Sequence, residues 1–275
     1  MCEEGITLEF LIYMPFVAAD GRRMKYYESP VFGEWCKRVY GCDMKQQGVL
    51  TAYEMEMLFR EVELPLHSAI LDVGCGAGYI TQAIAGHYKS NVTGIDIDNG
   101  VIEYAKAAFG GNPALSFLAA DVNEISYAPD TFDMICFIDT LYLAVSIDKL
   151  RLTLNKYFNM LKPGGKLVVF WTNQPNKRYN IFDMISPSAD NTQVGIWAAE
   201  HNVPYQSFDL TGANRLFWSR ALQECKALEC GLKNEVPDYY KTLFDECTHF
   251  AGLCEKGDDG GIFRWLYVLS DRRDV

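Results

Sequence analysis

Between residues 69 and 171 short, almost wholly apolar runs alternate with stretches whose apolar residues recur at helical spacing. The apolar runs fall at 69–73, 92–96, 115–120, 132–138 and 166–171, each short enough for a strand covered on both faces. Helical patterns separate them at 79–88, 99–109 and 147–161. The last of these closes on LKPGGKL, where Pro163 and two glycines are expected to stop the helix and turn the chain into the next strand. A βα rhythm of this kind predicts a doubly wound sheet with its ligand at the carboxyl ends of the strands.

Upstream, Thr51 and Glu54 have capping-box spacing and predict a helix over 52–62. Downstream of 171 comes a polar stretch, then a helix at 190–201, a strand at 203–210, helices at 213–229 and 237–255, and a final strand within 260–271. The two helices between the last strands exceed a minimal α/β core. The expected organisation is therefore cap helices over 1–66, a core over 67–212, inserted cap helices over 213–260 and a last core strand over 261–275.

Composition narrows the function classes. A net charge of −11 disfavours nucleic-acid partners, whose phosphates require a basic face. The nine cysteines include no CxxC pair, and no His/Cys cluster has zinc spacing, so reduced thiols, a cytoplasmic setting and no metal site are expected. LEFLIYMPFVAA (8–19) has the apolar character of a signal core, but MCEEGIT before it is acidic, so export is not expected. No apolar run reaches the length of a membrane span.

The densest signal is ILDVGCGAGYIT (70–81). Gly74, Gly76 and Gly78 follow the first predicted strand, and Tyr79 stands where a dinucleotide fingerprint has its third glycine. Asp72 just upstream would repel a pyrophosphate and suit a ligand that carries an ammonium group there. The second strand ends in GIDID, with Asp96 twenty residues beyond Gly76, and the third ends in AADV, with Asp121. The fourth runs through FDMICFIDTLYL.

In this order and spacing, residues 68–171 resemble the class I methyltransferases that use S-adenosylmethionine. The resemblance implies a Rossmann-like, seven-stranded, doubly wound α/β fold with helical cap additions. It implies that Asp72, Gly74, Cys75, Gly76 and Gly78 pass beside the methionine part of the cofactor. Asp96 would then accept from the ribose hydroxyls and Asp121 from the adenine amino group, with Ile97 and Val122 framing the adenine ring. Asp139 and Tyr142 would lie beside the reacting sulfonium as candidate catalytic groups. Asp98 and the pair Asp130 and Asp133 read instead as a helix cap and turn residues.

The acceptor is less legible. Tyr26, Tyr27 and Trp35 cluster where a cap would close over the cofactor, with Tyr26 a candidate cofactor contact and Tyr27 a candidate catalytic one. VYGCDMKQQGVLTAYEME (39–56) resembles a stretch in small-molecule methyltransferases that act on sarcosine and dimethylglycine. There a histidine commonly precedes the glycine, whereas here Gln47 does, a residue able to bond cofactor or substrate but not to take a proton. Trp171, Asn173, Lys177 and Arg178 follow near the acceptor side of the sheet. None of His67, His87, His201 and His249 sits in a recognisable triad. The expected reaction is transfer to a small-molecule amine. The alternatives are an oxygen or carbon acceptor, with Asp139, His201 or His249 as base, and a non-catalytic subunit that binds the cofactor. Monomer and homodimer both remain open. IDTLY lacks the proline-containing element of base-modifying relatives.

Overall fold

The computed structural model describes residues 26–46, 48–141, 146–173, 188–256 and 262–271. The stretch at 8–19, together with Gln47, Tyr142, Lys177 and Arg178, lies outside them.

Seven strands form one sheet: β1 (Ala69–Val73), β2 (Asn91–Asp96), β3 (Leu115–Ala119), β4 (Phe132–Ile138), β5 (Leu161–Thr172), β6 (Tyr205–Asp209) and β7 (Arg264–Ser270). Their order is β3-β2-β1-β4-β5-β7-β6, parallel except for β7, which runs antiparallel to both β5 and β6. The helices are α1 (Pro30–Tyr40), α2 (Ala52–Glu61), α3 (Tyr79–Tyr88), α4 (Asn99–Phe109), α5 (Ile147–Phe158), α6 (Gln193–Glu200), α7 (Thr211–Ala227), α8 (Glu229–Glu235) and α9 (Pro237–Cys254). The fold is the Rossmann-like, doubly wound class predicted above.

Alternation along the strands divides the core into two apolar layers. Leu71, Val73, Phe137, Leu167, Val169 and Tyr267 face α5 and α6, whose Leu150, Leu154 and Trp197 complete that layer. Ile70, Met134, Cys136, Val168, Phe170 and Leu266 face the opposite way, toward α2 and α3. The layer containing α2 is on the sheet itself, so only part of the expected N-terminal cap lies above the pocket. α1 instead joins α7–α9 in a third cluster built on Trp35, Phe217, Trp218, Tyr240 and Phe250, which rests on Ala77 and Val101 of the core.

The capping signals work locally as expected. Thr51 Oγ1 accepts from the Glu54 amide while Glu54 accepts from the Thr51 amide at 2.8 Å. Asp98 caps α4 by accepting from Gly100 and Val101. Asp133 accepts from the Ala69 amide and pairs with Lys162, both at 2.7 Å.

One boundary differs from the pattern. α5 ends at Phe158 rather than 161, and Pro163, Gly164 and Gly165 sit inside β5 as a bulge between the Phe132–Leu161 and Met134–Lys166 pairs. Thr131 and Phe132 amides already bond to Met160 O, which commits the chain to the sheet before the proline. Gly164 takes φ +79° there, and a Cβ on Gly165 would lie 2.8 Å from Lys162 O. The signal that reads as a helix stop is thus a β-bulge.

Leu154 is sealed in the α5 layer whereas Leu152 on the same helix is 67% exposed. Urea unfolding should show Leu154→Ala destabilised by about 2–5 kcal/mol and Leu152→Ala by roughly 0.5 kcal/mol or less.

Candidate functional site

At the carboxyl ends of β1–β4 a cavity of 280 Å³ opens between the glycine loop and Met44, Lys45, Gln46 and Gly48. The turn that leaves β1 is drawn across β2, since the Gly74 and Cys75 amides both donate to Ile95 O, at 2.7 and 2.9 Å. Gly74 has φ +81°, and a Cβ there would lie 2.4 Å from the Thr140 side chain. At Gly78 (φ +84°) a Cβ would meet the Phe117 ring at 2.9 Å. Around Gly76 nothing stands within 4 Å of that position, so the backbone there is bare toward the cavity. These spatial demands explain the glycine spacing.

Asp96 lines the cavity floor, with Oδ2 accepting from the Gly76 amide at 3.1 Å and Oδ1 from the Asp98 amide at 3.0 Å. A carboxylate has about four lone-pair sites, so each oxygen keeps capacity for one more donor. Ile97 beside it is 57% exposed, an apolar side chain left open at the cavity wall. Asp121 and Val122 continue the wall; Asp121 Oδ1 accepts twice from Asn123, and Oδ2 has no hydrogen bond among the described residues. A bare glycine turn, a diol-accepting carboxylate, an exposed aliphatic side chain and a free carboxylate oxygen match the successive parts of an aminoacyl nucleoside. That set suits S-adenosylmethionine.

Of the residues singled out from sequence, Tyr27, Gly74, Cys75, Gly76, Gly78, Asp96, Ile97, Asp121, Val122 and Asp139 all line this one cavity. Two others do not. Asp72 shares the strand face of Ile70 and is covered by α3, where it accepts from Thr81 Oγ1 at 2.6 Å. Burial pushes its carboxyl up to about 6, against the hydrogen bond from Thr81. It braces the start of α3 and does not face the cavity. Tyr26 stacks on Tyr239 at 4.1 Å between ring centroids and serves cap packing, as does Trp35, which donates to Ala221 O. Trp171 lies in the core, and Asn173 bonds the backbone of Phe263. No histidine lines the cavity: His87 stacks on Phe59 at 3.9 Å, and His201 on Trp197.

Asp139 is the largest departure from expectation. It follows β4 at φ +54° and is buried, but it is not a free base. Arg264, fully buried at the start of β7, grips it in bidentate fashion, through Nη1 to Oδ1 and Nη2 to Oδ2. Asp139 Oδ2 also accepts from the Val49 amide at 2.8 Å. Arg264 reaches Glu54 Oε1 at 2.7 Å and Thr172 Oγ1 at 2.7 Å as well. Burial opposes charge on this guanidinium, yet Asp139 and Glu54 together raise its pKa above the ordinary arginine value. Burial raises the Glu54 carboxyl, with Arg264 pulling the other way. A carboxylate so saturated orients its neighbours.

Sequence reading missed Arg264, took Glu54 only as a capping residue, and singled out the stretch 39–56 without naming Met44 or Lys45, which line one side of the cavity with Gln46 and Gly48. The available signal was an arginine inside the apolar run IFRWLYVL, because such a charge needs a buried partner.

Residues 70–165 match the methyltransferase domain family Methyltransf_25. An O-methyltransferase, cnsE of Penicillium expansum, is 36% identical over 121 residues, covering 42% of this chain and 43% of its own length. Phosphoethanolamine N-methyltransferase 1 of Triticum aestivum is 33% identical over 110 residues, covering 40% of this chain and 22% of its own. The chain thus spans less than half of either relative. A Galdieria sulphuraria structure provisionally named a sarcosine dimethylglycine methyltransferase superposes with TM-score 0.68 at 14% identity, over 92% of this chain and 98% of that one. Residues 70–165 of this chain are thus similar to a methyltransferase domain, and the fold is that of the superposed structure. Among the described residues, no helix is long and apolar enough to cross a membrane.

Arg264→Met would strand two buried carboxylates, and equilibrium unfolding should register a loss of about 3–5 kcal/mol. For Asp72, a folded-state pKa raised from 3.8 to about 6 means that the native state holds the proton more tightly. Its contribution is therefore present below pH 4 and lost as pH rises through 6. Asp72→Asn should flatten the fall in stability across that window, read as unfolding midpoints at several pH values.

Proposed function

We propose that this protein transfers the methyl group of S-adenosylmethionine to a small-molecule acceptor, with an amine nitrogen favoured. The observation that carries the reading is Asp96, a cavity carboxylate already oriented by two backbone amides and still able to accept from a vicinal diol. Gly74, Cys75, Gly76 and Gly78 would hold the methionine end, Asp96 the ribose, and Ile97, Asp121 and Val122 the adenine. When bound, the cofactor supplies a methyl group already activated by the positive sulfonium.

What remains for the chain is alignment and exclusion of water, which can supply on the order of 7–11 kcal/mol. Asp139, held by Arg264 and by the Val49 amide, fixes Gly48 and its neighbours against the cavity. A Cβ at Gly48 would lie 2.7 Å from Asp139 Oδ2, so the Asp139 side chain packs against the Gly48 backbone where only a glycine leaves room. Tyr27 covers the cavity from the cap side. Tyr142 and Gln47 belong to the same proposal as neighbours of the reacting methyl and the acceptor. Because Asp139 is committed to Arg264, an amine that arrives unprotonated is favoured over a phenol or carbon acid that must first lose a proton to a base.

The second reading is an oxygen acceptor, supported by the 36% identity to an O-methyltransferase across the core. A cytoplasmic setting and a cap formed by α1 and α7–α9 are part of the proposal.

Calorimetry with S-adenosylhomocysteine should give saturable 1:1 binding, and Asp96→Ala should weaken it at least tenfold; equal affinity would refute the ribose assignment. An assay of S-adenosylhomocysteine release over amines, phenols and carboxylates should find turnover with amines. Turnover of phenols alone would favour the second reading, and binding without any turnover would favour a non-catalytic subunit.

A further inference from the structure

The turn that follows β3 supplies two residues of the cavity wall, Asp121 and Val122, and spends most of its amides on itself. The Asn123 amide donates to Asp121 Oδ1 at 2.7 Å, and the Glu124 and Ile125 amides donate to Asp121 O at 3.0 and 2.9 Å. The Val122 amide is the exception and has no acceptor among the described residues. In a trans peptide the N–H points opposite to the carbonyl. Asp121 O faces into the turn, so the Val122 N–H faces out of it. The same turn carries Asp121 Oδ2, which accepts no hydrogen bond among the described residues. Adjacent residues of the wall thus present one donor and one acceptor.

The outer grip on this turn comes from α5. Lys156 Nζ donates to Val122 O at 2.7 Å, to Asn123 O at 3.0 Å and to Ile125 O at 2.8 Å. Tyr157 OH also donates to Val122 O, at 2.9 Å. An ammonium has three protons and no acceptor, so this one is wholly committed to backbone. Such charge-assisted bonds are about twice as strong as neutral ones. Neither Lys156 nor Tyr157 lines the cavity. Whatever they do for a ligand must pass through the turn.

We propose that Lys156 is a positioning residue for the base of the cofactor: by gripping three carbonyls of residues 122–125 it fixes the Val122 amide and the Asp121 carboxylate as a donor–acceptor pair for an adenine edge. Adenine offers the complement, an acceptor at N1 next to an amino donor at C6. Hypoxanthine offers the reverse, an N1 proton and a C6 oxygen, and leaves both groups of the turn unmatched. Fixed polar groups reject such an analogue strongly, whereas a turn free to rotate its peptides adapts to it. The identity of the ligand rests on the S-adenosylmethionine reading; the grip on the turn rests on the four hydrogen bonds.

Calorimetry on the full chain can compare S-adenosylhomocysteine with S-inosylhomocysteine, its deaminated counterpart. The wild type should prefer the adenine compound by about tenfold or more. Lys156→Met keeps an unbranched apolar side chain and removes the donors. It should weaken S-adenosylhomocysteine about fivefold or more and leave S-inosylhomocysteine within about twofold, so the preference collapses. A variant that merely loosened the fold would weaken both compounds by one factor. Tyr157→Phe removes the fourth bond and should narrow the preference in the same direction, and it serves if Lys156→Met does not fold. The proposal is overturned if the wild type does not discriminate, if Lys156→Met keeps the wild-type preference, or if both affinities fall together. Should S-adenosylhomocysteine not bind at all, the cofactor reading falls and this proposal with it; should it bind with a preference that Lys156→Met leaves unchanged, the proposal falls alone.

Discussion

A guanidinium removed from water must be met on every side, and the way Arg264 is met organises the functional end of this sheet. Its partners come from α2, the end of β4 and the end of β5, and its own backbone bonds the start of α7. Segments far apart in sequence are thereby tied to one planar group whose bonding directions are rigid. Asp139 transmits that order, because it receives Arg264 on one side and the Val49 amide on the other. Val49, next to Gly48 of the cavity wall, is held by this exchange. The ring of Phe170 lies 5.4 Å below the guanidinium and closes the remaining side.

The site has two halves with different physics. On the cofactor side recognition is built from backbone, with amides turned into β2, glycines where side chains would collide, and carboxylates braced by amide donors. Such a surface is rigid because its parts are hydrogen-bonded to the sheet. On the other side α1 and α7–α9 pack aromatic rings against Ala77 and Val101. Backbone-built sites suit a cofactor that never changes, whereas side-chain-built walls can vary with the acceptor. The curated relatives divide in the same way, since an O-methyltransferase and an N-methyltransferase share the core with this chain.

Several site residues were legible because their reasons are local. Gly74 and Gly78 are required by the turn that follows β1, Asp96 and Asp121 by their places at strand ends, and Thr51 with Glu54 by the first turn of α2. Asp72 misled because a residue two positions before a glycine loop looks adjacent to the ligand, while strand alternation turns its side chain under α3. The PGG sequence in β5 misled for a related reason, since the same residues that end a helix also make a bulge when a neighbouring strand supplies the bonds.

The sequence by itself determined the βα order, the glycine turn and the two strand-end acids, because each depends on residues within a few positions of one another. Tertiary structure alone decided that Asp139 is paired with a buried arginine, since Arg264 is 125 residues away. As a letter in the chain Asp139 is one acid among many, and only the packing of β7 against β5 gives it an arginine.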